Sequence, residues 1–372
     1  MLCSAELISG GFFSSPYVLL TVKTTPIGWI VSRRFGDFVD LKKNLALEFP
    51  GYFVPPLPSK SRTDPFSLPT FLLHLTRFLQ TIVRTPIFLC SPVLKTFLAD
   101  GRSIFESAIK AARKVKKPDT VDQMWTMSGS IVCRTAPSPP IGLNDYFFHS
   151  EVLKRTIAHQ FGFVSAALNS LSGQLQLLAN SLRSLAELQE SVPEAYRQRE
   201  IYGNLGEVLE EWSRKEAETC NLMELYGQSL FKAEKREARE CKLMFKEKEA
   251  LETAWAKATD HLKDRKERLW TQGDPVKWEI ASSYSGDIAS LKANKSTAFS
   301  YMLARDTQDT QRSKQKLDYL NHQLRTEVLR VLELSATSAA VRLSELGRQW
   351  DENKQDLALK WRELLGRLSA FY

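Results

Sequence analysis

The chain has 372 residues, 43% of them apolar and 25% charged, with a formal net charge of +8. That balance describes folded protein, long enough for two or three domains. No apolar run reaches the roughly 18 residues that a membrane-spanning helix needs, so no such helix is expected. The first residues, Met1 to Glu6, carry no basic segment, so no secretory signal is expected. The five cysteines (Cys3, Cys90, Cys133, Cys220, Cys241) are an odd number, widely spaced and without a C-x-x-C pair. They read as reduced thiols rather than disulfides or a zinc site.

The positive charge is uneven. Residues 1–100 hold ten Lys/Arg against six Asp/Glu, and residues 101–148 hold seven against four. The remaining 224 residues hold 34 against 33. A basic excess at one end suits an anionic membrane surface or nucleic acid. Neither the aromatic motifs of RNA binders nor a helix-turn-helix pattern accompanies it, so nucleic acid is not expected as a partner.

In chain order, Tyr17 to Thr25 is apolar and β-branched, Pro26-Ile27-Gly28 is a turn, and Trp29-Ile30-Val31 leads into Arg33-Arg34. This predicts two strands. Only about 15 residues precede them. Either residues 2–8 supply a short further strand, or the chain lacks its true N-terminus. Phe38, Leu41, Leu45 and Phe49 recur at helical spacing, and Pro50-Gly51 stops that helix. A Pro-rich turn, Pro55-Pro56-Leu57-Pro58-Ser59-Lys60, follows. A second helix is predicted over Pro69 to Val83, and Pro92 opens a third.

Over residues 101–117, Ile104, Phe105, Ala108, Ile109, Ala112 and Val115 share one helical face, while Lys110, Arg113, Lys114, Lys116 and Lys117 crowd the tail. This is the pattern of an amphipathic helix lying in a membrane interface, with docking on a neighbouring domain as the alternative. Residues 118–148, with Pro137-Ser138-Pro139-Pro140, read as a linker.

Beyond residue 149 the pattern becomes long and helical. Ile157, Phe161, Val164, Leu168, Leu171, Leu175, Leu178, Leu182 and Leu185 alternate steps of four and three, which is a heptad seam. Pro193 and Gly273-Asp274-Pro275 divide the rest, predicting helices over about 150–190, 194–271 and 276–369. Arg305 to Lys316 contains no apolar residue, so that stretch is expected to be solvated nearly all round.

The run Arg33-Arg34-Phe35-Gly36-Asp37-Phe38-Val39-Asp40-Leu41, with the Pro-rich turn ending in Lys60, resembles the signature of the phosphoinositide-binding PX domain of sorting nexins. Leu75, Phe78, Leu79, Thr85-Pro86, Leu94, Phe97 and Leu98 fit its closing helices. Three long helices after it resemble the BAR domain of the PX-BAR sorting nexins. The resemblance implies an α+β fold class: a PX domain of antiparallel sheet plus helices over 1–100, an amphipathic helix and linker over 101–148, and an all-α three-helix BAR coiled coil over 149–372.

It also implies roles. Arg34 would bind the inositol 3-phosphate, Phe35 would pack on the ring, and Lys60 would reach the 1-phosphate. The family's second pocket arginine falls here on Phe71, with Arg62 the substitute from the loop. The expected membrane contacts are Phe105, Ile109, Lys110, Arg113, Lys114, Lys116 and Lys117. Lys263, Arg265 and Lys266 join them near the turn between the last two helices, where interleaved acids leave a solvated charged helix as the alternative. The implied function is peripheral binding to endosomal membranes, probing or generating curvature in protein sorting. The partners would be a phosphoinositide-containing membrane, a second copy or another sorting nexin, and sorting-complex proteins. The rival is a cytosolic coiled-coil scaffold whose PX domain has weak or no lipid binding. No cofactor or catalytic activity is expected: His74, His149, His159, His261 and His322 are isolated, and no phosphate loop or nucleophile elbow occurs.

Overall fold

The computed structural model of the chain describes residues 2–8, 17–59, 68–114, 142–272 and 303–369. Strands β1 (Leu2–Ile8), β2 (Tyr17–Thr24) and β3 (Trp29–Arg33) form one antiparallel sheet in the order β1-β2-β3. Leu2 pairs with Lys23 and Ile8 with Tyr17, while Leu20 pairs with Arg33 and Thr24 with Trp29. Residues 2–8 therefore supply the further strand that the short N-terminal segment left open.

Helices α1 (Phe35–Glu48), α2 (Leu68–Arg84), α3 (Pro92–Ala99) and α4 (Arg102–Lys114) follow, with a 3-10 turn over Pro86–Cys90 before α3. Phe38, Leu41 and Leu45 of α1 are fully buried, as their spacing requires. Phe38 packs edge-on to Phe97 at 5.0 Å between centroids, and Phe97 edge-on to Phe105 at 5.3 Å. Ser91 starts α3 by two bonds: its hydroxyl oxygen accepts from Leu94 N–H, and its proton goes to Glu48. Pro92 takes the first helical position, where no N–H is missed.

The long helices are α5 (Leu143–Leu188), α6 (Tyr196–Leu222), α7 (Ser229–Gln272) and α8 (Ala304–Ser369). A π-helical segment, Met223–Gln228, joins α6 to α7. The start of the last helix as read from sequence, residues 276–302, lies outside the described residues. Within Arg305 to Lys316 no residue is buried, in agreement with its lack of apolar side chains.

The chain divides into two compact units. The first joins Met1–Thr63, Leu75–Tyr146 and Glu240–Arg330; the second joins Asp64–His74, Phe147–Arg239 and Val331–Tyr372. In the first unit, the turn after α1 rests on α8. Gly51 has φ +82°, and a Cβ there would stand 3.1 Å from Leu320 and from Gln323, so glycine is needed for both reasons. Phe53 N–H donates to Glu327 at 3.0 Å, and Arg330 spans Glu327 and the Thr85 hydroxyl.

In the second unit, α5 and α6 approach closely because small residues face inward. Ser172 and Ser213 exchange hydroxyl-to-carbonyl bonds at 2.8 Å, Ser165 lies against Cys220, and Gly206 sits under the Ala179 carbonyl. Leu175, Ala179 and Leu209 form a core with Leu182, Leu205, Trp212 and Trp361 around it. The heptad seam read from sequence is thus only partly internal. Ala158, Ser165, Ser172 and Ala179 are buried at steps of seven, one residue beyond Ile157, Val164, Leu171 and Leu178. These last, with Leu185, are 37–50% exposed. The reason is geometric: close contact of α5 with α6 selects the small-residue column, which leaves the adjoining apolar column outward.

Candidate headgroup site

The site begins with strand alternation. On β3, Val31 and Arg33 are buried while Ile30 and Ser32, on the other face, are exposed, as is Trp29 at the strand's start. The next residue, Arg34, leaves the strand in extended conformation and caps α1, exposed to solvent. Two adjacent arginines thereby acquire opposite tasks.

Arg33 is completely buried. Its Nε and Nη2 donate to the Phe97 carbonyl at 3.0 and 2.6 Å, Nη2 also reaches Thr96 O and Asp100 O, and Nη1 reaches Ser32 O. It therefore satisfies the carbonyls at the C-terminus of α3, where a cation also complements the helix dipole. The rings of Phe97 and Phe105 lie on the guanidinium, 5.1 and 5.3 Å from its carbon. Burial pushes the Arg33 pKa down, and the carboxylates of Asp37 and Asp100 oppose that shift. Arg33 is structural and unavailable to a ligand.

Arg34 donates its backbone N–H to Asp37 Oδ2 at 2.7 Å, which locks the start of α1. Asp37 in turn faces Arg102 Nε at 3.4 Å. Phe35, the first residue of α1, is half-buried beside Arg34. The Pro-rich turn is packed down through buried Val54, Pro55 and Pro58 as far as exposed Ser59. Lys60 and Arg62 lie outside the described residues. Phe71 is 6% exposed, so the position that carries a cation in the family's pattern holds a core side chain here.

The expected membrane face of residues 101–117 needs correction. Phe105 and Ile109 are 1% and 4% exposed. They face the core of their own unit because Phe105 closes the ring stack over Arg33, and an inward aromatic cannot also enter a bilayer. Ile104, by contrast, is 55% exposed. Lys110 points to solvent, Arg113 and Lys114 end α4, and Lys116 and Lys117 lie outside the described residues. Near the end of α7, Lys263 and Arg265 are exposed and Lys266 half-buried; Arg265 is paired with Asp306 of α8. Among the described residues no cluster of His, Cys, Asp and Glu has the arrangement of a metal site, and no helix is long and apolar enough to cross a membrane.

A three-stranded antiparallel sheet followed by short helices, with one outward arginine at the head of α1, and then a series of long helices make up the described chain. Residues 23–100 match the PX domain. The chain is 33% identical over 102 residues to Sorting nexin 1 of Arabidopsis thaliana, covering 26% of this chain and 25% of that protein. It is 41% identical over 121 residues to Sorting nexin-4 of Cryptococcus neoformans var. neoformans serotype D, covering 24% of each. It is 29% identical over 163 residues to Sorting nexin-4 of Eremothecium gossypii, covering 38% of this chain and 40% of that protein. The matches thus span between a quarter and two fifths of these relatives. Over 97% of its length the chain superposes on 99% of a chain in the cryo-EM structure of the SNX-BAR Mvp1 tetramer, with TM-score 0.64 and 14% identity. The N-terminal part is a PX domain related to those of sorting nexins, and the chain as a whole has the SNX-BAR fold.

Proposed function

We propose that the chain is a peripheral membrane protein that reads a phosphoinositide, phosphatidylinositol 3-phosphate, on endosomes and acts in membrane sorting. One observation carries the reading: Arg33 is consumed by the fold while Arg34, next to it, is held outward beside Phe35. A planar fork of donors next to an aromatic face suits a phosphorylated sugar ring. Lys60, and Arg62 in place of the cation absent at Phe71, complete the set of charges from the Pro-rich loop. The basic tail Lys110, Arg113, Lys114, Lys116 and Lys117, together with Lys263, Arg265 and Lys266, adds attraction to anionic lipid. Flotation with vesicles of defined phosphoinositide content tests the reading. The Arg34→Ala protein is expected to lose most of its flotation while keeping its fold. Flotation equal to that of the parent would sink the proposal.

The exposed column Ile157, Val164, Leu171, Leu178 and Leu185 supports self-association or pairing with another sorting nexin, and a matching column from a second chain would cover it. Leu171→Glu with Leu178→Glu is expected to yield a monomer in sedimentation where the parent is a dimer or larger. A monomeric parent would refute this part. The rival reading, a cytosolic coiled-coil scaffold with weak or no lipid binding, is favoured by the buried Phe71.

A further inference from the structure

Between the first half of α5 and the end of the π segment with the first turns of α7, the second unit holds a cavity of about 400 Å³. Arg155, His159, Gln228, Lys232 and Lys235 line it, together with the exposed ring of Phe163, and among the described residues no carboxylate does. We propose that this cavity is a second anion site, separate from the PX pocket, for a compact polyphosphorylated group.

Two neighbouring cations on the same helices are matched by acids. Lys154 pairs with Glu234 at 3.1 Å and Arg239 with Glu151 at 3.0 Å. Arg155 and Lys235 form no ion pair among the described residues, although each stands one residue from a partner in such a pair. Lys232 bonds the Gln228 amide oxygen at 2.7 Å, a neutral acceptor. Glu224, the acid whose charge acts on Lys232, accepts from the Ser165 hydroxyl at 2.9 Å. Three positively charged side chains thus line one concave place of a size that holds a small ligand, and no ion pair is formed by any of them among the described residues. Desolvation pushes the Lys232 ammonium down; Glu224 opposes this, while Arg236 and Lys235 reinforce it. A bound anion would relieve that repulsion.

The π segment explains why the cavity exists. A π turn carries an extra residue and widens the helix, and such turns are frequent at functional sites. Gly227 within it leaves room for the Phe161 ring, which any Cβ at 227 would strike. Phe161 stacks on Phe231 at 5.7 Å. This locks α5 against the start of α7 and fixes the separation of Arg155 from Lys232 and Lys235. The site is built on rigid helices rather than on a loop.

The test uses the full chain carrying Arg34→Ala, so that loss of the PX pocket and loss of this site stay distinguishable. Inositol hexakisphosphate is titrated calorimetrically as the soluble probe. Vesicles containing a polyphosphorylated phosphoinositide are the lipid probe. Saturable binding of either, weakened at least tenfold by Lys232→Gln with Lys235→Gln and again by Arg155→Gln, supports the site; the probe that binds identifies the source of the anion. The variants are expected to keep the parent's melting temperature without ligand and to lose the rise that the soluble probe gives the parent. Absence of binding to both probes overturns the proposal, as does binding indifferent to the substitutions. A change of sedimentation mass without ligand binding would assign these cations to contacts with a second copy and overturn it as well.

Discussion

The guanidinium of Arg33 holds the carbonyl of Phe97 with two hydrogen bonds, at 3.0 and 2.6 Å, and lies over the ring of the same residue. The strand end and the helix end are fastened at that point. Arg33→Met would leave the α3 carbonyls without their donors and is expected to cost about 3–5 kcal/mol. Arg34→Ala, one residue away and exposed, should stay within about 0.5 kcal/mol of the parent. Urea unfolding followed by circular dichroism measures both. Equal losses would contradict the division of labour between the two arginines.

Helix α4 offers a similar contrast between faces. Phe105→Ala opens a cavity beneath the Phe97 ring and should destabilise by about 3–5 kcal/mol. Ile104→Glu, on the outer face, should change stability by no more than about 0.5 kcal/mol. If Phe105→Ala melted like the parent, the ring would not be part of the core.

Gly227 and Phe161 should be coupled. Gly227→Ala forces its new methyl into the ring of Phe161 and is expected to cost about 1–3 kcal/mol. Adding Phe161→Leu should return part of that loss, giving a non-additive double-mutant cycle. Strict additivity would show that the ring does not meet position 227.

Acid should act through Asp356. Its carboxylate accepts from the buried Lys215 at 2.7 Å, and this bond holds its pKa below the usual 3.8. A depressed folded-state value means that the pair stabilises above the usual aspartate range and that the contribution disappears as pH falls through the lower value. Asp356→Asn should therefore be less stable than the parent at neutral pH, with the difference shrinking as the pH falls below the usual 3.8. A difference constant across that range would exclude the mechanism.

Most of the elements were legible in the sequence, but it left residues 2–8 open, read as linker the residues from Leu143 that begin α5, and read as one helix the stretch that the π segment Met223–Gln228 divides. Alternation made β2 and β3 legible, the spacing of Phe38, Leu41 and Leu45 exposed the core face of α1, and the long heptad pattern announced α5. The motif Arg33-Arg34-Phe35 was visible too, because local pattern and side-chain chemistry are written along the chain. Only the tertiary structure decided which arginine faces inward, since the two differ by one step of strand alternation and by the presence of α3 carbonyls 64 residues away. The same holds for Phe105 and Ile109: an amphipathic helix shows that one face needs cover, but not whether lipid or protein covers it. The Phe97 ring settles that. The choice of the small-residue column over the apolar one on α5, and the docking of Gly51 and Phe53 on Gln323 and Glu327, depend on contacts between distant segments. Periodicity within one segment carries no information about its partner.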